Sequence, residues 1–237
     1  MKYLKKLLVA SCLLGFSLSA YATPTLQVHA VDSVAGSISG DEQTWFASGA
    51  TGDLELIATF DDPNMSIQNA YLVLTTSATA GNPFAGFSKY DDAAAFEATL
   101  LGGAVQTNNH APYGGAASDI DTFAYSLGDF SYGAGTSPSK DCNADVTPGT
   151  TECTSSNGTA DIKMFSYDYS GLALDWVHFD LVAFVTDQNG NSGRWASTWD
   201  INPGSHDSTW VNVPETNSLF LLMVGLLGLL GFKRKTS

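Results

Sequence analysis

The sequence predicts an all-β fold, an antiparallel β-sandwich of jelly-roll or immunoglobulin-like type. Three observations predict it. Apolar and polar residues alternate with a period of two in run after run. Clusters of Gly, Asn, Asp and Pro separate those runs. Good helices are few, so the strand–helix–strand rhythm of a parallel sheet is missing.

The runs follow in order. TLQVHAVD, residues 25–32, alternates and predicts a first strand. Residues 36–52, rich in Gly, Ser and Asp around Trp45-Phe46, predict a loop or a short strand. DLELIATF, 53–60, sets Leu54, Leu56, Ala58 and Phe60 on one face, and Asp61-Asp62-Pro63-Asn64 turns the chain. SIQNAYLVLTT, 66–76, is apolar on both faces from Tyr71 to Leu74, which suits a central strand. Residues 92–101 fit one short helix, capped by Asp91 or Asp92 and stopped by Gly102-Gly103, or else a strand with loops.

DTFAYSL, 121–127, resumes alternation, and residues 128–160 read as a long Gly, Ser, Thr and Pro rich insertion. DIKMFSYDY, 161–169, alternates again. LDWVHFDLVAFVT, 174–186, is the clearest strand. One face carries Val177, Phe179, Leu181, Ala183 and Val185; the other carries Trp176, His178, Asp180, Val182 and Phe184. DQNGNSG, 187–193, predicts a hairpin loop, and GRWASTWDI, 193–201, its partner strand. PGSHDSTW makes the polar close of the last strand.

The two ends differ from everything between them. Residues 1–22 have a basic head (Lys2, Lys5, Lys6), an apolar middle from Leu7 to Leu18, and the small-x-small site Ala20-Tyr21-Ala22. This predicts a secretory signal peptide, handled by the Sec machinery and cut after Ala22. A lipobox-like Val9-Ala10-Ser11-Cys12 offers a competing lipoprotein reading, but it begins too close to Lys6 and the apolar run continues past it. Leu219 to Phe232 is 14 residues without charge, followed by Lys233-Arg234-Lys235. As a helix it reaches about 21 Å, short of the roughly 30 Å hydrocarbon core. Both basic clusters favour the cytoplasmic side, which sends the intervening chain outward.

Charge and cysteines agree with export. Of the 10 Lys and Arg residues, six lie in the end segments; of the 24 acids, only Glu215 does. The remainder therefore holds four basic and 23 acidic residues, a formal charge of −19, which repels nucleic acid. Cys142 and Cys153 form an even pair in a loop-like stretch and predict a disulfide.

Val213-Pro214-Glu215-Thr216, an apolar run with Gly225, Gly228 and Gly231, and Lys233-Arg234-Lys235 together resemble the PEP-CTERM sorting signal of Gram-negative bacteria. The common form has proline where this chain has Thr216. The resemblance implies an exosortase, a membrane-embedded cysteine peptidase, as partner, with transient anchoring in the inner membrane. The destination it implies is the cell envelope, outer surface or extracellular matrix. TPTLQVHAVD, LELIATF, DWVHFDLVAF and PGSHDSTW loosely resemble the choice-of-anchor N proteins, exported ectodomains to which no activity is assigned. The expected organisation is a signal peptide (1–22), an exported domain (23–212) and a sorting segment (213–237) ending in a hydrophobic helix.

Chemistry-bearing patterns are few, and a non-enzymatic protein without cofactor is expected. Ser205-His206-Asp207 are sequence neighbours, a poor start for a triad whose members must converge in space; no Gly-x-Ser-x-Gly elbow is present. His178 and Asp180 share a strand face and could ligate a metal with Asp187 or His206, although a hydrogen-bonded pair lining the sheet is the favoured reading. Asp187, Asn189 and Asn191 offer oxygens at alternate positions, as calcium prefers. Ser192 and Thr198 occupy the places where an EF-hand has Gly and Glu, so a plain Asn-Gly turn is favoured. His29 and His110 show no pattern. Trp45, Trp195, Trp199 and Trp210, with Tyr113, Tyr132, Tyr167 and Tyr169, could stack on sugars, which makes exopolysaccharide binding the alternative to ordinary aromatic packing.

Overall fold

The computed structural model describes residues 24–39, 42–47, 49–77, 79, 81–90, 93–102, 120–133, 135–144, 152–189 and 194–212. The fold is all-β. Its strands are β1 (Leu26–Ala30), β2 (Val34–Ser39), β3 (Glu42–Phe46), β4 (Thr51–Phe60), β5 (Ser66–Ser77), β6 (Ser88–Tyr90), β7 (Ile120–Phe130), β8 (Ser137–Asp141), β9 (Thr154–Asp168), β10 (Trp176–Asn189), β11 (Arg194–Ile201) and β12 (Ser208–Val211). One sheet has the order β1-β4-β9-β8. The larger runs β2-β3-β12-β10-β5-β7-β6, with β11 also paired to β10.

Every described pairing is antiparallel except β3 with β12, where Ser208 lies opposite Trp45 and Thr209 opposite Phe46 in parallel register. The expectation of a purely antiparallel arrangement misses this pair. Strands so far apart in the chain leave no turn signature between them, and a parallel pair needs a long connection.

Alternation decides the core. Leu54, Leu56, Ala58 and Phe60 of β4 meet Ile67, Leu72 and Leu74 of β5 and Val177, Phe179 and Leu181 of β10 in one buried cluster. That cluster draws on both sheets, so each sheet buries the face its period-two pattern makes apolar. β5 is an interior strand between β10 and β7, which explains why its middle is apolar on both sides. Its outer face is covered by a short helix α1 (Ala93–Phe96) that widens into a π-type turn (Glu97–Leu101). Phe96 packs there with Val73, Ala124 and Val182.

Two glycines have positional reasons. Gly52 faces Tyr167 across the β4–β9 ladder, and a Cβ there would stand 2.6 Å from the Tyr167 hydroxyl. Gly128 has φ +72° opposite Ala70, beside a bulge where Asn69 has φ 50°.

The region 128–160 departs from the reading of one long insertion. It contains β8 and the first half of β9. These strands are polar because β8 is a sheet edge and its partner residues in β9 are Ser, Thr and Ala. Cys142 and Cys153 are joined in a disulfide immediately beyond this hairpin. The 187–193 loop is also shorter than expected: β10 continues to Asn189, which pairs with Arg194.

The signal-peptide site at Ala20 and Ala22, the sorting motif Val213 to Thr216, and the basic stop Lys233 to Lys235 lie outside the described residues. Among the described residues no helix is long and apolar enough to cross a membrane.

Candidate functional site

The chemistry-bearing side chains converge on a polar seam built around β12. After β11 the chain folds back through Asn202, a 3-10 turn (Gly204–His206) and Asp207. It then enters the larger sheet between β3 and β10. Trp45 N–H donates to Asp207 O at 3.1 Å and Ala47 N–H donates to Thr209 O at 2.9 Å, so the β3 segment holds the strand along one side. On the β10 side His178 lies opposite Thr209 and Phe179 opposite Ser208. Strand alternation therefore turns Phe179 into the apolar core and His178 with Asp180 toward Thr209 and Asp207.

The resulting cluster is closed to solvent. His178, Asp180 and Asp207 are 1%, 0% and 3% exposed. His178 Nδ1 is 2.9 Å from Thr209 Oγ1, which also contacts Thr44 Oγ1 at 3.2 Å. His178 Nε2 faces Asp180 Oδ1 at 3.4 Å and Asp207 Oδ2 at 3.6 Å. Asn202 donates through Nδ2 to Asp180 Oδ1 at 3.3 Å and accepts the Leu181 N–H at 2.5 Å. One histidine, two carboxylates, an amide and a hydroxyl are thus held by three separate chain segments.

A second part of the seam ties β12 to the smaller sheet. Ser208 Oγ accepts from Ala30 N–H at 2.9 Å and donates to Val28 O at 3.0 Å. Trp45 Nε1 donates to Cys142 O at 2.6 Å, beside the disulfide. Fully buried Gln27 accepts from Cys142 N–H and donates to Lys140 O, both at 2.8 Å. His29 Nδ1 meets Glu55 Oε2 at 3.1 Å, and Lys140 Nζ meets Glu55 Oε1 at 2.6 Å. The hydrogen bond from His29, joined by Lys140, outweighs burial and holds the Glu55 carboxyl down at about 2.

Ser205 and His206 do interact, but their carboxylate is Asp141 rather than Asp207. Ser205 Oγ is 2.9 Å from His206 Nδ1, and His206 Nε2 is 2.9 Å from Asp141 Oδ1. Ala144 N–H donates to Ser205 O at 2.7 Å. These contacts bind the 3-10 turn to the segment carrying Cys142, which gives them a structural task. Neither Asp187 nor His206 joins His178 and Asp180. Asp187 is seven residues from Asp180 along β10, about 23 Å at strand rise. It instead faces Asp61, whose carboxyl is raised by burial and then by the Asp187 charge. Of the calcium candidates, Asp187 and Asn189 are strand residues of β10, and Asn191 lies outside the described residues.

The missing member of the cluster, Asp207, had a signal in the sequence. His178-Phe-Asp180 and Asp207-Ser-Thr209 are both polar pairs at strand spacing. Each interrupts a face that is apolar farther along, and paired strands bring such interruptions together.

Most aromatics pack inward. Trp45, Trp176 and Trp210 are buried, and Trp199 is half-buried against Tyr71 and Phe184. Tyr132 is exposed at 45% and leans edge-on against Phe60. Tyr113 and the Trp195 side chain lie outside the described residues. One open groove of about 240 Å³ is lined by Phe84, Phe87, Phe165, Tyr167 and Tyr169, with Asp168 and Ser166 at its wall; Phe84, Tyr167 and Tyr169 are buried core rings, and Phe87 and Phe165 are half-buried. Tyr167 and Tyr169 stack at 5.1 Å.

Comparison of the chain with protein-family models, with curated proteins and with solved structures gave no match.

Proposed function

We propose that the chain is a non-enzymatic exported protein of the cell surface or extracellular matrix. In this reading the two sheets form a sandwich of jelly-roll or immunoglobulin-like type, and a PEP-CTERM-type segment directs its sorting through an exosortase. The observation that carries the reading is where the fold closes. β12 is held on both sides inside the larger sheet. Asn212 is then pinned by its N–H to Asp175 O at 2.8 Å and by Nδ2 to Leu174 O at 3.1 Å. The next residue is Val213, the first of the sorting motif. A peptidase acting there would leave every described strand intact. The disulfide adds support, because such bonds persist in oxidising compartments.

Intact-mass analysis of the protein from its producing cell tests this. The expected product begins at Thr23 and has lost the segment beyond the sorting motif. Replacing Pro214 and Glu215 together leaves it uncut and held in the membrane. Equal processing of variant and parent overturns the reading.

The aromatic groove favours a second reading, a carbohydrate-binding module for exopolysaccharide. Its half-buried Phe87 and Phe165 rings would contact the sugar and Asp168 would accept hydroxyl hydrogen bonds.

A further inference from the structure

We propose that His178, Asp180 and Asp207 form a binding site for a divalent transition metal, with zinc as the preferred ion. Their candidate ligand atoms all lie within 4.8 Å of one another. The spacing around His178 Nε2 is informative. At 3.4 and 3.6 Å, the two carboxylate oxygens stand farther off than a charge-assisted hydrogen bond of about 2.7–2.9 Å allows. A tetrahedral ion with bonds of about 2.0–2.1 Å separates its ligands by about 3.3–3.4 Å, so both distances sit near a coordination edge.

The chemistry of the donor set points the same way. An imidazole nitrogen with two carboxylates suits zinc, whereas calcium and magnesium favour all-oxygen shells. Asp180 and Asp207 are almost fully buried, where ionised carboxylates are costly unless paired, and a divalent ion would pair with both.

The surroundings are those of an oriented site. Thr209 Oγ1 holds His178 Nδ1, which fixes the ring with Nε2 turned toward Asp180 and Asp207. Asn202 Nδ2 reaches Asp180 Oδ1 and is itself anchored by the Leu181 N–H. Such outer contacts orient ligands and strengthen binding. Three protein ligands leave the fourth vertex of the tetrahedron to water. The ligands come from β10 and from the residue preceding β12, so the ion would clasp the last strand to its neighbour. This role is independent of how the chain is sorted.

The test uses the full chain, stripped with chelator and titrated with cobalt(II) and then zinc(II). Expected is one equivalent of cobalt with the intense visible bands of four-coordinate geometry, displaced by zinc, and a zinc-dependent rise in melting temperature. Asp207→Asn and His178→Gln abolish the bands. Asp62→Asn, at a surface acid outside the cluster, keeps them. Thr209→Val retains all three ligands and weakens zinc by about 10–100-fold, the usual effect of losing an outer contact. If Asp207→Asn or His178→Gln does not fold, the parent's own spectrum and melting shift decide the matter. A parent with no four-coordinate cobalt spectrum overturns the proposal, as does a spectrum that survives in both ligand variants.

Discussion

The space between the two sheets and the seam along β12 exclude water in opposite ways. Between the sheets, Leu54, Leu72, Phe179 and their neighbours are buried in one apolar cluster. Along β12, residues just as buried meet through hydrogen bonds that join both sheets, the 3-10 turn and the disulfide segment. The first arrangement is non-directional and tolerates changes that conserve volume. The second is directional, and each lost partner strands another polar group away from water. The two regions therefore differ in how they break.

The largest loss is expected from the apolar side. Phe179→Ala removes a ring that is 0% exposed and packs against Tyr167 and Tyr169. Denaturant melts should show a loss of about 3–5 kcal/mol, with a cavity left behind. Reduction, or replacing Cys142 and Cys153 together by serine, removes the clamp beside the seam. Closure of so short a loop contributes about 3 kcal/mol in the chain-entropy model. A loss near that value, with the apolar core still cooperative, would show that the seam loosens by itself.

Glu55 gives the smallest and most diagnostic effect. Its folded pKa of about 2 lies below its ordinary 4.5, so the ionised form stabilises the fold above pH 4.5. That contribution is lost as pH falls from 4.5 toward 2. Glu55→Gln should cost roughly 2–3 kcal/mol at neutral pH and flatten stability across that acid window. An unchanged acid limb would move the pH sensitivity of the seam to another group.

The same contrast governs what the sequence reveals. Alternation in DLELIATF and LDWVHFDLVAFVT marks strands whose faces the structure confirms residue by residue. Those faces are set locally, by a period of two. Thr154 to Ala160 escaped recognition because that half of β9 pairs with polar β8 at a sheet edge and shows no apolar stripe. The seam escaped for a different reason. Asp207 reaches His178 only because β12 inserts beside β10, and Asp141 reaches His206 across 65 residues. No local pattern encodes such meetings. His178 with Asp180 and Asp207 with Thr209 are each legible as a polar pair at strand spacing, and which strand each pair meets is not.

The position of β12 also has a consequence for the order of assembly. Among the described residues the hairpin of β2 and β3 joins the rest of its sheet only through β12, although more than 150 residues of chain lie between them. A nascent chain lacking β12 can pair β10 with β5 and β5 with β7, and Ala35 and Trp45 of the hairpin can pack on Ile57 and Cys142, but the hairpin has no strand to link it to β10. Completion of the larger sheet awaits Ser208 to Val211, so that sheet stays partly open until late and closes through slow, long-range pairing.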